Sequence, residues 1–212
     1  MTIETYLLYT VVSFFYIISP GPAVFLALAN GISGRLKAVV LSSLGNILGL
    51  FLLSLVSMLG LGTLILTSSF LFLVVKVIGA TYLIYLGIKQ FKISKRPHTQ
   101  SQTLKANTDR TDSSYCLEGF MLAATNPKPV LFFIAIFPQF LNIDDALLPQ
   151  FLILTLTFMS ISFFVLFLYG YLTKSVKPVF ANQSNMRWFH RITGGLFIGM
   201  GIGLLQLKNT TH

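Results

Sequence analysis

Two tetrapeptides hold the residue types best suited to chemistry in this chain: Ser19-Pro20-Gly21-Pro22 and Asn126-Pro127-Lys128-Pro129. A proline has no amide hydrogen and its ring collides with the carbonyl four residues earlier, so two prolines one residue apart interrupt a helix. Each interruption leaves backbone groups in need of partners. The amides that open the next helical segments, near Ala23 and Val130, carry partial positive charge and favour an anion such as a carboxylate. Lys128 adds a full positive charge within the second tetrapeptide. The pattern suits recognition of a small anionic group, with Pro20, Gly21, Pro22, Asn126, Pro127, Lys128 and Pro129 as its candidate residues.

Lys76 and Lys128 are the only charged residues well inside apolar stretches. A lysine at the centre of a bilayer costs about 2.5–3.5 kcal/mol on insertion scales, so it normally faces a cavity or a partner. Lys76 lies nearer the end of its stretch and reads either as a second site residue or as a side chain reaching the outer headgroups. All six carboxylates lie at segment ends or in loops. Two ways remain to accommodate the lysines: loss of the proton, or pairing with a carboxylate that the solute brings. The same lack of intramembrane acids argues against a strongly cationic solute. Asn46, flanked by Gly45 and Gly49, suits either a bond to a neighbouring helix or a contact with solute. Tyr82 and Tyr85 fit packing, while Trp188 and His190 fit interfacial anchoring. Gly195, Gly199 and Gly203, spaced by four, form a small-residue face for close packing within the subunit or in a homo-oligomer.

These residues need elements to hold them, and composition says what kind. Of 212 residues, 54% are hydrophobic and 10% charged, with a mean hydropathy of +0.78. Soluble domains carry about 25% charged residues, so the solvent of this chain is lipid. The net charge of +9 sits in loops and forms no nucleic-acid patch. The single Cys116 excludes a disulfide framework or a cysteine metal site, and neither metal nor cofactor is expected. The first apolar run has no basic region before it and is too long for a secretory signal.

A spanning helix needs about 20 apolar residues. Against that length the chain predicts an all-α integral membrane fold of six transmembrane helices. The first lies between Glu4 and Arg35, the second near 38–59 and the third near 70–91, with a turn expected among Gly60, Gly62 and Thr67-Ser68-Ser69. The others cover about 117–140, 147–173 and 190–207. Both tetrapeptides fall within the hydrocarbon, about 22 Å and 16 Å along their helices. The prolines of the two breaks share one offset of 107 residues. An odd number of crossings separates them, so the halves run in opposite senses: a three-helix repeat over 1–91, a polar cytoplasmic linker over 92–116, and an inverted repeat over 117–212. Matched interruptions in inverted halves point to a central transport site.

Basic residues orient the chain. Arg35, Lys37, Lys89, Lys92, Lys95, Arg96, Lys105, Arg110, Lys174, Lys177, Arg187 and Arg191 fall on one side, and Lys208 alone on the other. Both termini are therefore expected outside the cytoplasm of the cell inner membrane.

Several ordered pieces resemble the LysE/RhtB family of amino-acid exporters. They are Ser19-Pro20-Gly21-Pro22, Gly45-Asn46-Ile47-Leu48-Gly49, Lys76 with Gly79-Ala80-Thr81-Tyr82-Leu83-Ile84-Tyr85-Leu86-Gly87, then Gly119-Phe120, Asn126-Pro127-Lys128, Phe137-Pro138-Gln139-Phe140 and the glycine-rich last span. The resemblance implies a secondary exporter of amino acids or related small metabolites, driven by the protonmotive force and without nucleotide or enzymatic chemistry. It places Pro20, Gly21, Pro22, Lys76, Tyr82, Asn126, Pro127 and Lys128 on motif positions. Pro129 departs from it, since a small residue often follows the motif lysine. The absence of intramembrane acids makes a neutral amino acid the expected solute. The alternative is a non-transporting membrane scaffold or assembly subunit, which would lack a cavity between the breaks.

Overall fold

The computed structural model describes residues 1–32, 35–65, 69–94, 111–142, 144–173 and 182–206, and among them every regular element is helical. Helix α1 (Ile3–Ile18) and α2 (Pro22–Ile32) meet at the first tetrapeptide with a bend of 56°. Helices α3 (Leu36–Ile65) and α4 (Ser69–Ser94) follow. Helix α5 (Asp112–Thr125) and α6 (Pro127–Leu131) meet at the second tetrapeptide, and the bend from α5 to the segment ending at Phe140 is 48°. Helices α7 (Leu147–Tyr171) and α8 (Gln183–Gln206) complete the chain. Helices α3 and α7 are long and apolar enough to cross a membrane unaided, and each bent pair qualifies as one further span.

Three boundaries differ from expectation. Helix α3 runs straight through Gly60 and Gly62, which were expected to turn; residues 66–68 lie outside the described residues. Glycine weakens a helix by only about 1 kcal/mol, and in lipid the helical bond is the cheapest way to pair a backbone group. Helix also occupies both ends of the stretch expected as a linker, since α4 continues to Ser94 and α5 starts at Asp112. Asp112 sits in the first turn of α5, where a negative charge suits the helix dipole, and it pairs with Lys37. The last helix begins at Gln183, about two turns before the predicted span.

The segment after α6 is not plain helix. Residues Phe132–Ile136 form a π-helical stretch and Phe137–Phe140 a 3-10 turn. The Phe137 amide reaches back to the Phe132 carbonyl, and Pro138 has no amide to offer. The Phe133 carbonyl, left over by this change of register, accepts from the Ser57 hydroxyl of α3. Rings pack around the same segment: Phe132 lies 4.6 Å from Tyr16 and 4.7 Å from Phe158, and Phe140 lies 5.1 Å from Tyr9. At the nearby chain end, the N-terminal ammonium pairs with Asp145 at 2.5 Å and holds that carboxyl below its usual range.

Helices in lipid associate by close packing, not by hydrophobic expulsion, so small residues mark the seams. Along α3 and α5, a Cβ on Gly45 would run into the Cys116 backbone and one on Gly119 into the Ser42 carbonyl. Along α4 and α8, Gly87 meets Gly194, and Gly201 meets Ala80 and Ile84. The internal packing face of α8 is therefore Gly194 and Gly201. Gly195, Gly199 and Gly203 have nothing within 4 Å of an added Cβ, so of the two readings of this face the structure does not show the packing within the subunit. Outward, α3 shows an apolar stripe of Leu44, Leu48, Leu52, Val56 and Leu59, tolerable only against lipid or another apolar surface.

Gly119→Ala is expected to destabilise the fold by about 1–3 kcal/mol, because backbone lies where the methyl would go. Gly199→Ala should stay within about 0.5 kcal/mol of the parent. Unfolding of detergent-solubilised protein measures both, and equal losses would remove Gly119 from the seam.

Candidate functional site

The first break exposes its carbonyls in the pattern that its prolines dictate. In an unbroken helix residue 20 would donate to Tyr16 and residue 22 to Ile18, but neither proline has an amide hydrogen. Both carbonyls find side-chain donors from the second half of the chain. Lys128 Nζ donates to the Tyr16 carbonyl at 2.7 Å and to the Ser19 carbonyl at 2.9 Å. The Tyr169 hydroxyl of α7 donates to the Ile18 carbonyl at 2.9 Å. In return the Tyr16 hydroxyl donates to the Lys128 carbonyl. The Lys128 ammonium also stands 4.6 Å above the Tyr16 ring centre, within reach of a cation–π attraction.

The second break is closed locally. The Asn126 amide still bonds to Leu122, and its side-chain oxygen caps α6 by accepting from the Lys128 amide at 3.0 Å. The Val130 amide donates to the Asn126 carbonyl at 3.3 Å. The expectation of an open amide at Val130 is thus corrected: the asparagine cap and its carbonyl occupy that turn. At the first break, Ala23 and Val24 sit in the opening turn of α2, whose amides a helix leaves without internal partners.

Between the breaks lies a cavity of about 50 Å³. Its polar part is Ser19, Asn46, Asn126, Lys128 and Ser162, with Gly21 and Ala23 beside them; Ile17, Val24, Leu50, Phe158 and Leu166 supply its apolar walls. Of the residues singled out in the sequence, Gly21, Asn46, Asn126, Lys128 and Pro129 line it together. Pro20, Pro22 and Pro127 shape the breaks without lining the cavity. Tyr82 does not line the cavity, but besides stacking on Tyr85 at 6.3 Å and packing against the aromatic core it is hydrogen-bonded to Tyr16, which does line it. The Lys76 side chain lies outside the described residues. Asn46 combines its two readings, since it lines the cavity and also accepts from Ser162 of α7 at 3.3 Å.

Tyr16 and Ser162 went unnoticed in the sequence, and Ser19 was read only as part of its tetrapeptide and not as a site residue. Tyr16 had a readable signal, its position four residues before Pro20, while Ser162 is one of several hydroxyls in an apolar run, with Thr155, Thr157 and Ser160, and nothing in the sequence sets it apart. Trp188 is 64% exposed, as an anchor should be, but His190 is 4% exposed, which corrects its reading as an interfacial residue. It faces α4, where Gln90 supplies a polar partner at 2.6 Å.

A family model described as LysE type translocator matches residues 14–208. The chain is 31% identical to a leucine efflux protein of Klebsiella pneumoniae, covering 96% of each chain. It is 29% identical to a homoserine/homoserine lactone efflux protein of Salmonella typhimurium over 99% of this chain and 100% of that one. It is also 30% identical to the membrane protein YrhP of Bacillus subtilis, over 92% of this chain and 96% of that one. No solved structure matches it.

Tyr169→Phe strips the Ile18 carbonyl of its donor inside the bundle. Unfolding in detergent should show a loss of about 1–2 kcal/mol. A variant as stable as the parent would show that the break does not need this tie.

Proposed function

The chain belongs to the LysE type translocator family, and from that premise we propose that it exports a neutral amino acid or a close derivative across the cytoplasmic membrane, driven by the protonmotive force. The observation that carries the reading is the Lys128 ammonium in the cavity where the two breaks meet. An ammonium has three donors, and two are taken by carbonyls of the first break. The third, with the opening turn of α2 beside it, suits a carboxylate. No Asp or Glu lines the cavity, and its far walls are apolar, which fits an uncharged side chain. Relatives named for leucine and homoserine efflux agree with a neutral solute.

The proposed architecture is six spans in two inverted halves: α1/α2, α3 and α4, then α5/α6, α7 and α8. The packing supports it. The seam of α3 on α5 is answered by that of α7 on α1 and α2, while the α3–α7 and α4–α8 pairs each map onto themselves. The basic loops support both termini on the non-cytoplasmic side. The outward glycines Gly195, Gly199 and Gly203 suit a homo-oligomer contact. The scaffold alternative expected no cavity between the breaks, and a small one is present.

The test is efflux from cells or proteoliposomes over a panel of amino acids. Leucine-like neutral solutes should leave faster in the presence of the chain, and collapsing the proton gradient should abolish their uphill export. Lys128→Ala should cut transport at least about tenfold, the equivalent of about 1.4 kcal/mol. Lys128→Arg keeps the charge and separates loss of the cation from loss of the fold. Unchanged efflux of every amino acid would sink the exporter reading, and full activity of Lys128→Ala would sink the site.

A further inference from the structure

His190 and Gln90 do not line the cavity, yet both are buried, at 4% and 8% exposure. The imidazole Nδ1 lies 2.6 Å from Gln90 Oε1, and Gln90 Nε2 donates to the Ser19 hydroxyl at 2.7 Å. Ser19 is 1% exposed, and its carbonyl accepts from Lys128 Nζ. Hydrogen bonds therefore link α8 through α4 to the Ser19 hydroxyl at the first break, and the backbone carbonyl of the same residue meets the ammonium of the cavity.

Histidine is a member of this path whose ordinary pKa puts its charge change between about pH 5 and 8. With protons on both ring nitrogens, Nδ1 can only donate. Gln90 must then present Oε1 to His190 and its NH₂ group to Ser19, which is the arrangement observed. A neutral ring has a second tautomer in which Nδ1 accepts. The amide can then reverse, donating to the imidazole and accepting from the Ser19 hydroxyl. Protonation removes that second arrangement and makes the bond to Gln90 charge-assisted, about twice as strong as a neutral one. The described charged groups at this end of the packed elements are all cationic: Lys89 and Lys92 on α4, Arg187 and Arg191 on α8, and Lys128 across the break. Helix α1 brings none, as Glu4 lies at its far end.

We infer that His190 is the proton-responsive positioning residue of this transporter: its protonation locks Gln90 and Ser19 and holds the first break over Lys128, and its deprotonation releases the break. The inference rests on the transport reading above. It predicts that efflux slows in acid.

The test uses the full chain in liposomes, with leucine as the probe and equal pH on both faces. Wild-type efflux should rise about tenfold between about pH 5 and 8, and His190→Gln should change less than about twofold over that range. A His190→Gln profile matching the wild type overturns the inference. A second arm needs no transport. In histidine-labelled protein in nanodiscs, the His190 signal is assigned by its loss in His190→Gln, against His98 and His212. Its titration midpoint should move in Gln90→Leu, and an unmoved midpoint overturns the path. A wild type that exports no amino acid refutes the transport reading, while the spectroscopic arm still judges the path.

Discussion

Lys128 donates across the bundle to a carbonyl that Pro20 has deprived of its helical partner, and this cross-tie explains why the chain tolerates a break inside lipid. Water is not available to satisfy an open carbonyl there, and each orphan costs several kcal/mol. Lysine is costly at the same depth for a related reason, its charge lacking hydration. Placing the one against the other offsets both costs. The tie is reciprocal, because the Tyr16 hydroxyl of the first half returns a bond to the Lys128 carbonyl of the second. The two breaks are thus one structural unit, although 107 residues separate their prolines.

That unit is carried on a frame of a different kind. Helices α3 and α5, and α4 and α8, meet backbone to backbone at glycines. Seams of that sort are rigid, since sliding them would drive carbonyls into one another. Between them the aromatic rings around Phe132 fill the volume that the π-helical stretch leaves beside α3. The outward faces are rich in large apolar side chains, leucine, isoleucine, valine and phenylalanine among them, as lipid allows.

The sequence made legible those features that depend on the chain's own covalent chemistry. Two prolines break a helix wherever they lie, so the bends at Pro20 and Pro127 could be read directly. The helices could be placed because charge-free runs of spanning length leave few alternatives. What could not be read is which group pairs with which. The identity of the Lys128 acceptors depends on how two distant segments cross, and no periodicity encodes that. His190 misled for the same reason: a histidine at a helix end beside an exposed tryptophan looks interfacial until Gln90 is seen opposite. The glycines of α8 show the limit most plainly. Spacing by four pointed to Gly195, Gly199 and Gly203, whereas packing on α4 uses Gly194 and Gly201. Both faces are small, and only the position of the neighbouring helix distinguishes them.

Cavity size bears on how such a unit would work. About 50 Å³ holds a few water molecules, and sites for small molecules are several times larger. An amino acid therefore requires the space between the breaks to widen. The glycine seams resist this, because their backbones are already in contact. The ties at the breaks do not, because each depends on a side chain that can swing: Lys128, Tyr16, Tyr169 and Gln90. A carboxylate that docks on the third donor of Lys128 can then displace the carbonyls of Tyr16 and Ser19 from the same ammonium. Solute arrival and loosening of the first break would then be a single exchange of partners on one nitrogen. The cavity would open by giving up bonds that the solute itself replaces.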